Sequence, residues 1–97
     1  MDFKVRITDQ ALADLEEILE YSWDNFPELT ERFGLAVLDH VSLLERFPRM
    51  GTPVPRNPGV RKLQHTPISI YYRLDETRHL IEIMHFWHGA RRRPVPE

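Results

Sequence analysis

Two kinds of side chain in this sequence can carry chemistry, and both crowd its C-terminal half. Basic residues recur at Arg61, Lys62, Arg73, Arg91, Arg92 and Arg93, and histidines at His65, His79, His85 and His88. Guanidinium forks hold phosphate oxygens bidentately, so such a cluster suits RNA or a phosphoryl transition state. The same forks suit carboxylates on a protein partner. His88 sits where the last strand meets the arginines, which makes it a candidate general acid or base. The plainer readings are a solvated basic tail and a histidine held for packing. Zinc needs at least three converging ligands. His85 and His88 are three apart on a strand and point to opposite faces, so neither a metal nor any other cofactor is expected. Glu82 is the one acid in the last strand; strict alternation puts it on the face of Met84, Phe86 and His88, as a partner for an arginine. Tyr71 and Tyr72 fall on opposite faces, one in the core and the other toward solvent or a ligand.

The elements that must position these groups follow from hydrophobic period. Leu80 to His88 has the densest β-branched and aromatic content and reads as a buried strand, which Gly89 ends. At the other end of the chain, Phe3, Val5 and Ile7 alternate with Lys4, Arg6 and Thr8 as a half-buried strand. Thr8 or Asp9 then caps a helix running to about Asp24, with Ala11, Leu12, Leu15, Ile18, Leu19 and Ser22 on one stripe. Phe26-Pro27 breaks it, and Pro27 starts a second helix in which Phe33, Val37, Val41 and Leu44 repeat, with Ala36, His40 and Phe47 alongside. Pro48 ends that helix. From Pro48 to Gly59 four prolines and two glycines predict a loop without regular structure. Val60 to Thr66 and Ile68 to Arg73 read as two more strands, joined to the last by the polar turn Asp75 to Arg78. The order β-α-α-β-β-β predicts an α+β fold, an antiparallel sheet with a helical hairpin packed on one face.

Composition sets bounds on function. The 97 residues make a single domain, 1–97, with a modest core. No apolar run approaches the roughly 18 to 20 residues that span a bilayer, so no membrane partner is expected. The absence of cysteine excludes disulfides and thiol catalysis and suits the cytoplasm. Net charge is −2, but residues 1–50 hold five Lys/Arg against eleven Asp/Glu and residues 51–97 hold eight against four. Two faces with different partners would produce this split, as would helices that simply collect solvated acids.

Taken in order, these features resemble the RelE/ParE superfamily of toxins from type II toxin–antitoxin modules. The match rests on the opening strand followed by Thr8, Ala11, Asp14, Leu15, Ile18 and Tyr21, and on Phe47, Pro48, Gly51 and Pro53. It continues through Ile70, Tyr72 and Arg73 to the closing Ile83, His85, Trp87, His88, Gly89, Arg91 and Arg92. The resemblance implies a cognate ParD-like antitoxin, growth inhibition by the free toxin, and one of two targets. RelE-like members cleave mRNA in the ribosome without a metal, using cations on the open sheet face; ParE-like members act on DNA gyrase. The RelE pattern puts its basic pair near Lys62 and Gln64 and its central arginine near Ser69, so two cations are missing. Its arginine after the last strand matches Arg91, and its C-terminal tyrosine has no counterpart after Arg93. On a nuclease reading, His88 and Arg91 are the catalytic residues. On the ParE-like reading, which is favoured, Arg61, Lys62, Arg73, Arg91 and Arg92 bind the target or the antitoxin. A non-toxic interaction module is the third possibility.

Overall fold

The computed structural model describes residues 2–89; Arg91, Arg92 and Arg93 therefore lie outside the described residues. Strand β1 (Lys4–Ile7) leads directly into helix α1 (Asp9–Asn25), and α2 (Pro27–Ser42) follows with a short 3-10 turn, Leu43–Glu45. Four strands complete the chain: β2 (Thr52–Val54), β3 (Asn57–His65), β4 (Ile68–Asp75) and β5 (Leu80–His88). The sheet order is β1-β5-β4-β3-β2, and the helical hairpin packs on one face of it. Ala11, Leu15 and Ile18 of α1 and Val37 and Val41 of α2 meet Leu63, Ile68, Ile70, Tyr72, Ile81, Ile83 and Phe86 of the sheet in the main core.

Local chemistry starts and joins the helices. The Thr8 Oγ1 accepts the Ala11 N–H at 3.2 Å and donates to the Ile83 carbonyl at 2.7 Å. One hydroxyl thus caps α1 and ties its first turn to β5. Pro27 opens α2, where its missing N–H is harmless. Across the hairpin, Ser22 and Thr30 share a 3.0 Å hydrogen bond. A Cβ on Gly34 would lie 3.3 Å from a Leu19 methyl, so glycine lets the two helices approach closely.

The two-layer α+β architecture is as the sequence implies, with four particulars that differ. First, the sheet is mixed: β1 pairs parallel with β5, Val5 opposite Ile81 and Ile7 opposite Ile83. Parallel neighbours need a long crossover, and everything from α1 to β4 supplies it. Second, the proline-rich stretch is not a structureless loop. Thr52–Val54 adds an edge strand, and β3 begins at Asn57. Prolines are tolerated there because an edge strand leaves one row of N–H groups unpaired.

Third, β5 does not keep strict alternation. Tyr71 lies opposite His85 but Tyr72 lies opposite Ile83, so Met84 is an extra residue in the strand. Ile81, Ile83 and Phe86 all reach the main core as a result, while Met84 and Trp87 join a second cluster with Val54, Val60 and Tyr71. Glu82 and Phe86 therefore do not share a face. Fourth, Tyr71 and Tyr72 are both buried, in the second cluster and the main core respectively, because that second cluster covers Tyr71 on the far side of the sheet.

Candidate functional site

The face of the sheet turned away from the helices carries the groups with most chemical potential. Alternation from the half-buried Val5 and Ile7, which pack on the main core, places Lys4 and Arg6 there. The cross-strand register then sets a row Arg6, Glu82, Arg73, Val60, and beside it Tyr71, Lys62 and Thr52. Glu82 pairs with Arg6 at 3.6 Å, so its partner is an arginine of β1. Lys62 stands opposite Tyr71 and diagonal to Arg73, a spacing of roughly 7–8 Å between such neighbours. Arg73 is exposed, whereas Lys62 is half-buried.

Further along this face lie Gln64 and Ser69, opposite each other on β3 and β4. The Ser69 hydroxyl donates to Gln64 Oε1 at 2.9 Å, and the Gln64 amide donates to the Ile68 carbonyl at 3.3 Å. A neutral, mutually bonded pair, Ser69 buried and Gln64 exposed, thus occupies the two positions at which the nuclease pattern carries positive charge.

Arg61 is not part of this face. It lies on the opposite side of β3 and donates through Nη1 to the Gly51 carbonyl at 2.8 Å and the Arg49 carbonyl at 3.3 Å. The Tyr72 hydroxyl completes the same junction, donating to the Pro48 carbonyl at 2.7 Å and accepting the Gly51 N–H at 3.1 Å. Burial raises the Tyr72 pKa above its ordinary 10.0, against the opposing pull of the Gly51 N–H and the Arg61 charge. A Cβ on Gly51 would come within 2.8 Å of the Tyr72 ring and 2.9 Å of the Lys62 carbonyl, so only glycine fits. Pro48, Gly51 and Tyr72 form one structural clasp.

His88 also lies on the helix side. It borders an apolar groove of about 230 Å³ between the tip of the hairpin and the β3–β4 turn. Ile18, Tyr21, Phe26, Leu29, Phe33 and Pro67 line that groove, with Ser22 and His88 as its polar members. The described residues thus bring Lys62 and Arg73 together with Arg6 and Glu82, and place Arg61 and His88 elsewhere.

Two side-chain pairs were not foreseen. Asp14 of α1 accepts from His85 Nδ1 at 3.1 Å and from the Phe86 N–H at 3.3 Å. Parallel pairing with β1 ends at Ile83, and the Asp14 carboxylate takes up a backbone donor just beyond it. His40 of α2 meets His65 of β3, with 2.9 Å between their Nδ1 atoms. The one sequence signal for this pair was His40 on the apolar stripe of α2. Among the described residues no group of three or more His, Asp or Glu is placed to hold a metal ion, and no helix is long and apolar enough to cross a membrane.

Comparison with known proteins agrees with this architecture. The family model for the ParE toxin of the type II toxin–antitoxin system parDE matches residues 5–93. Among solved structures, a chain of the toxin–antitoxin complex RelBE2 from Mycobacterium tuberculosis is 25% identical. The alignment covers 91% of this chain and 99% of that one, with a TM-score of 0.71. A chain of the chromosomal ParDE toxin–antitoxin system from P. aeruginosa shares the fold at 24% identity and a TM-score of 0.76, covering 89% of this chain and 95% of that one. A search of curated protein sequences finds no match.

Proposed function

The chain belongs to the ParE toxin family of type II toxin–antitoxin systems, and from that premise we propose that it arrests growth by acting on DNA gyrase and is neutralised by a ParD-like antitoxin. The observation that favours this over mRNA cleavage is the Gln64–Ser69 pair. Catalysis at phosphorus without a metal needs cations aimed at the oxygens where charge develops. Two positions that would supply them hold neutral groups bonded to each other. The cations nearest by, Lys62 and Arg73, share their face with Glu82, while Arg61 is committed to loop carbonyls. A net charge of −2 also works against entry into a phosphate-dense ribosome. A protein target makes no such demand. Lys62, Arg73, Arg91 and Arg92 then serve to contact carboxylates on gyrase or on the antitoxin.

The antitoxin part of the reading draws support from the hairpin surface. Leu12 and Trp23, three turns apart on α1, and Leu35 and Leu38, one turn apart on α2, are 41–61% exposed. Exposed apolar residues at helical spacing are what a segment that folds on binding would cover.

Expression of the chain alone from a tight promoter, with mRNA 5′ ends mapped within minutes, tests the target. Arrest with intact mRNA, filamentation and gyrase-linked DNA breaks supports the proposal. New 5′ ends within translated codons, lost on Arg91→Ala or His88→Ala, would show a ribosome-dependent endoribonuclease instead. Unchanged growth would leave a non-toxic interaction module.

A further inference from the structure

At the seam between α2 and the sheet, the His40 and His65 rings meet with their centroids 5.1 Å apart and their planes tilted by 54°. Phe33, two turns earlier on α2, closes edge-on against His65. On the sheet, Leu63 shares the face of His65, and Ile68 stands opposite it on β4; none of these three neighbours titrates. Of the charged residues close in sequence, Asp39 on α2 is exposed, Lys62 projects from the other face of β3, and Arg61, on the face of His65, is turned to the Gly51 and Arg49 carbonyls. The charge that acts on His65 is that of His40.

This geometry fixes the number of protons the pair can hold. Two Nδ1 atoms at 2.9 Å share one proton, one ring donating and the other accepting through its lone pair. A first added proton can enter at the donor ring's Nε2 and leaves that hydrogen bond in place. A second must enter at the accepting Nδ1, which sets N–H against N–H and puts two cations in contact. We propose that the His40–His65 pair is a proton-operated latch, which holds the end of α2 to the end of β3 and releases it when the pair takes up its second proton. Phe33 packs on the latch and also lines the apolar groove, so release loosens one wall of that groove. None of this rests on the toxin reading.

The direction of the effect follows from linkage. Burial, and then the charge of His40, hold the His65 pKa below its ordinary 6.5. The folded chain therefore binds fewer protons here than the unfolded chain. The contribution of the latch is complete above about 6.5 and is lost as pH falls through the lowered value.

The test is an NMR titration of the full chain from about pH 8 to 5, reading the ring nitrogens of both histidines and the amide protection of residues 36–42. The expected result is a coupled two-step titration, with the second step below the ordinary histidine range. Protection over 36–42 falls with that step, about tenfold for each pH unit by which it is depressed. His40→Gln keeps a hydrogen-bonding group without a titrating ring and should flatten the response. Two independent titrations near 6.5, level protection through the second step, or an unchanged response in His40→Gln would each overturn the latch. If His40→Gln does not fold, the wild-type titration decides alone.

Discussion

One phenol holds the proline-rich arm to the sheet. Tyr72 donates to Pro48, accepts from Gly51 and lies fully buried, so removing its oxygen strands a backbone donor and an acceptor. Tyr72→Phe is expected to cost about 1–3 kcal/mol in urea denaturation. Gly51→Ala should be at least as damaging, since its Cβ meets backbone as well as the ring. The raised pKa of Tyr72 adds a pH signature. A phenol whose folded pKa lies above 10.0 stabilises the fold below that value, with ionisation unfavourable in the folded chain. As pH rises through 10 toward the folded value, wild type should lose stability that Tyr72→Phe never had. These residues were visible in the sequence only as part of a family pattern. Nothing in Pro48, Gly51 or Tyr72 taken singly shows that they meet, because the contact spans more than twenty residues.

Elements were far more legible than contacts. The cap at Thr8, the break at Phe26-Pro27 and the three-strand meander all rest on short-range chemistry, and the structure has each of them. What escaped sequence reading depends on pairing. A proline at 53 looks the same in a loop and at a sheet edge, and a bulge at Met84 leaves no mark on a run of apolar residues. That bulge decides which of His85, Phe86, Trp87 and His88 face the helices, so the candidate site was misdrawn where register mattered. Thr8→Ala removes both the cap and the tie to Ile83, and is expected to cost about 1–2 kcal/mol by thermal or urea unfolding. Asp14→Ala leaves the Phe86 N–H and the His85 ring without their acceptor. Faster amide exchange at Phe86 than in the middle of β4 would show that Asp14 protects this part of the strand.

For the whole molecule, the hairpin surface and the open sheet face offer two separate places for partners. Trp23→Ser and Leu38→Glu should weaken antitoxin binding by tenfold or more while leaving the unfolding midpoint nearly unchanged, because both side chains are exposed. Titration calorimetry with the product of the neighbouring gene would measure this, and unchanged affinity would move the antitoxin off the hairpin. Arg73→Glu should leave that affinity alone if the sheet face serves the target only, and lower it if one acidic segment reaches both faces.

The charges are sorted by layer as well as by number. Residues 9–42, the two helices, hold nine acids and one base, while Lys4, Arg6, Lys62 and Arg73 project from the far side of the sheet. A chain built this way carries an electric dipole running through the sheet, from the hairpin to the open face. In the field of any acidic macromolecule it turns before it touches, presenting the sheet first and the helices last. Such alignment raises the rate of productive encounter and fades as salt shortens the reach of the field. An antitoxin seated on the acidic layer would leave the approaching face uncovered, so a bound toxin could meet its target in the right orientation and still be held inactive.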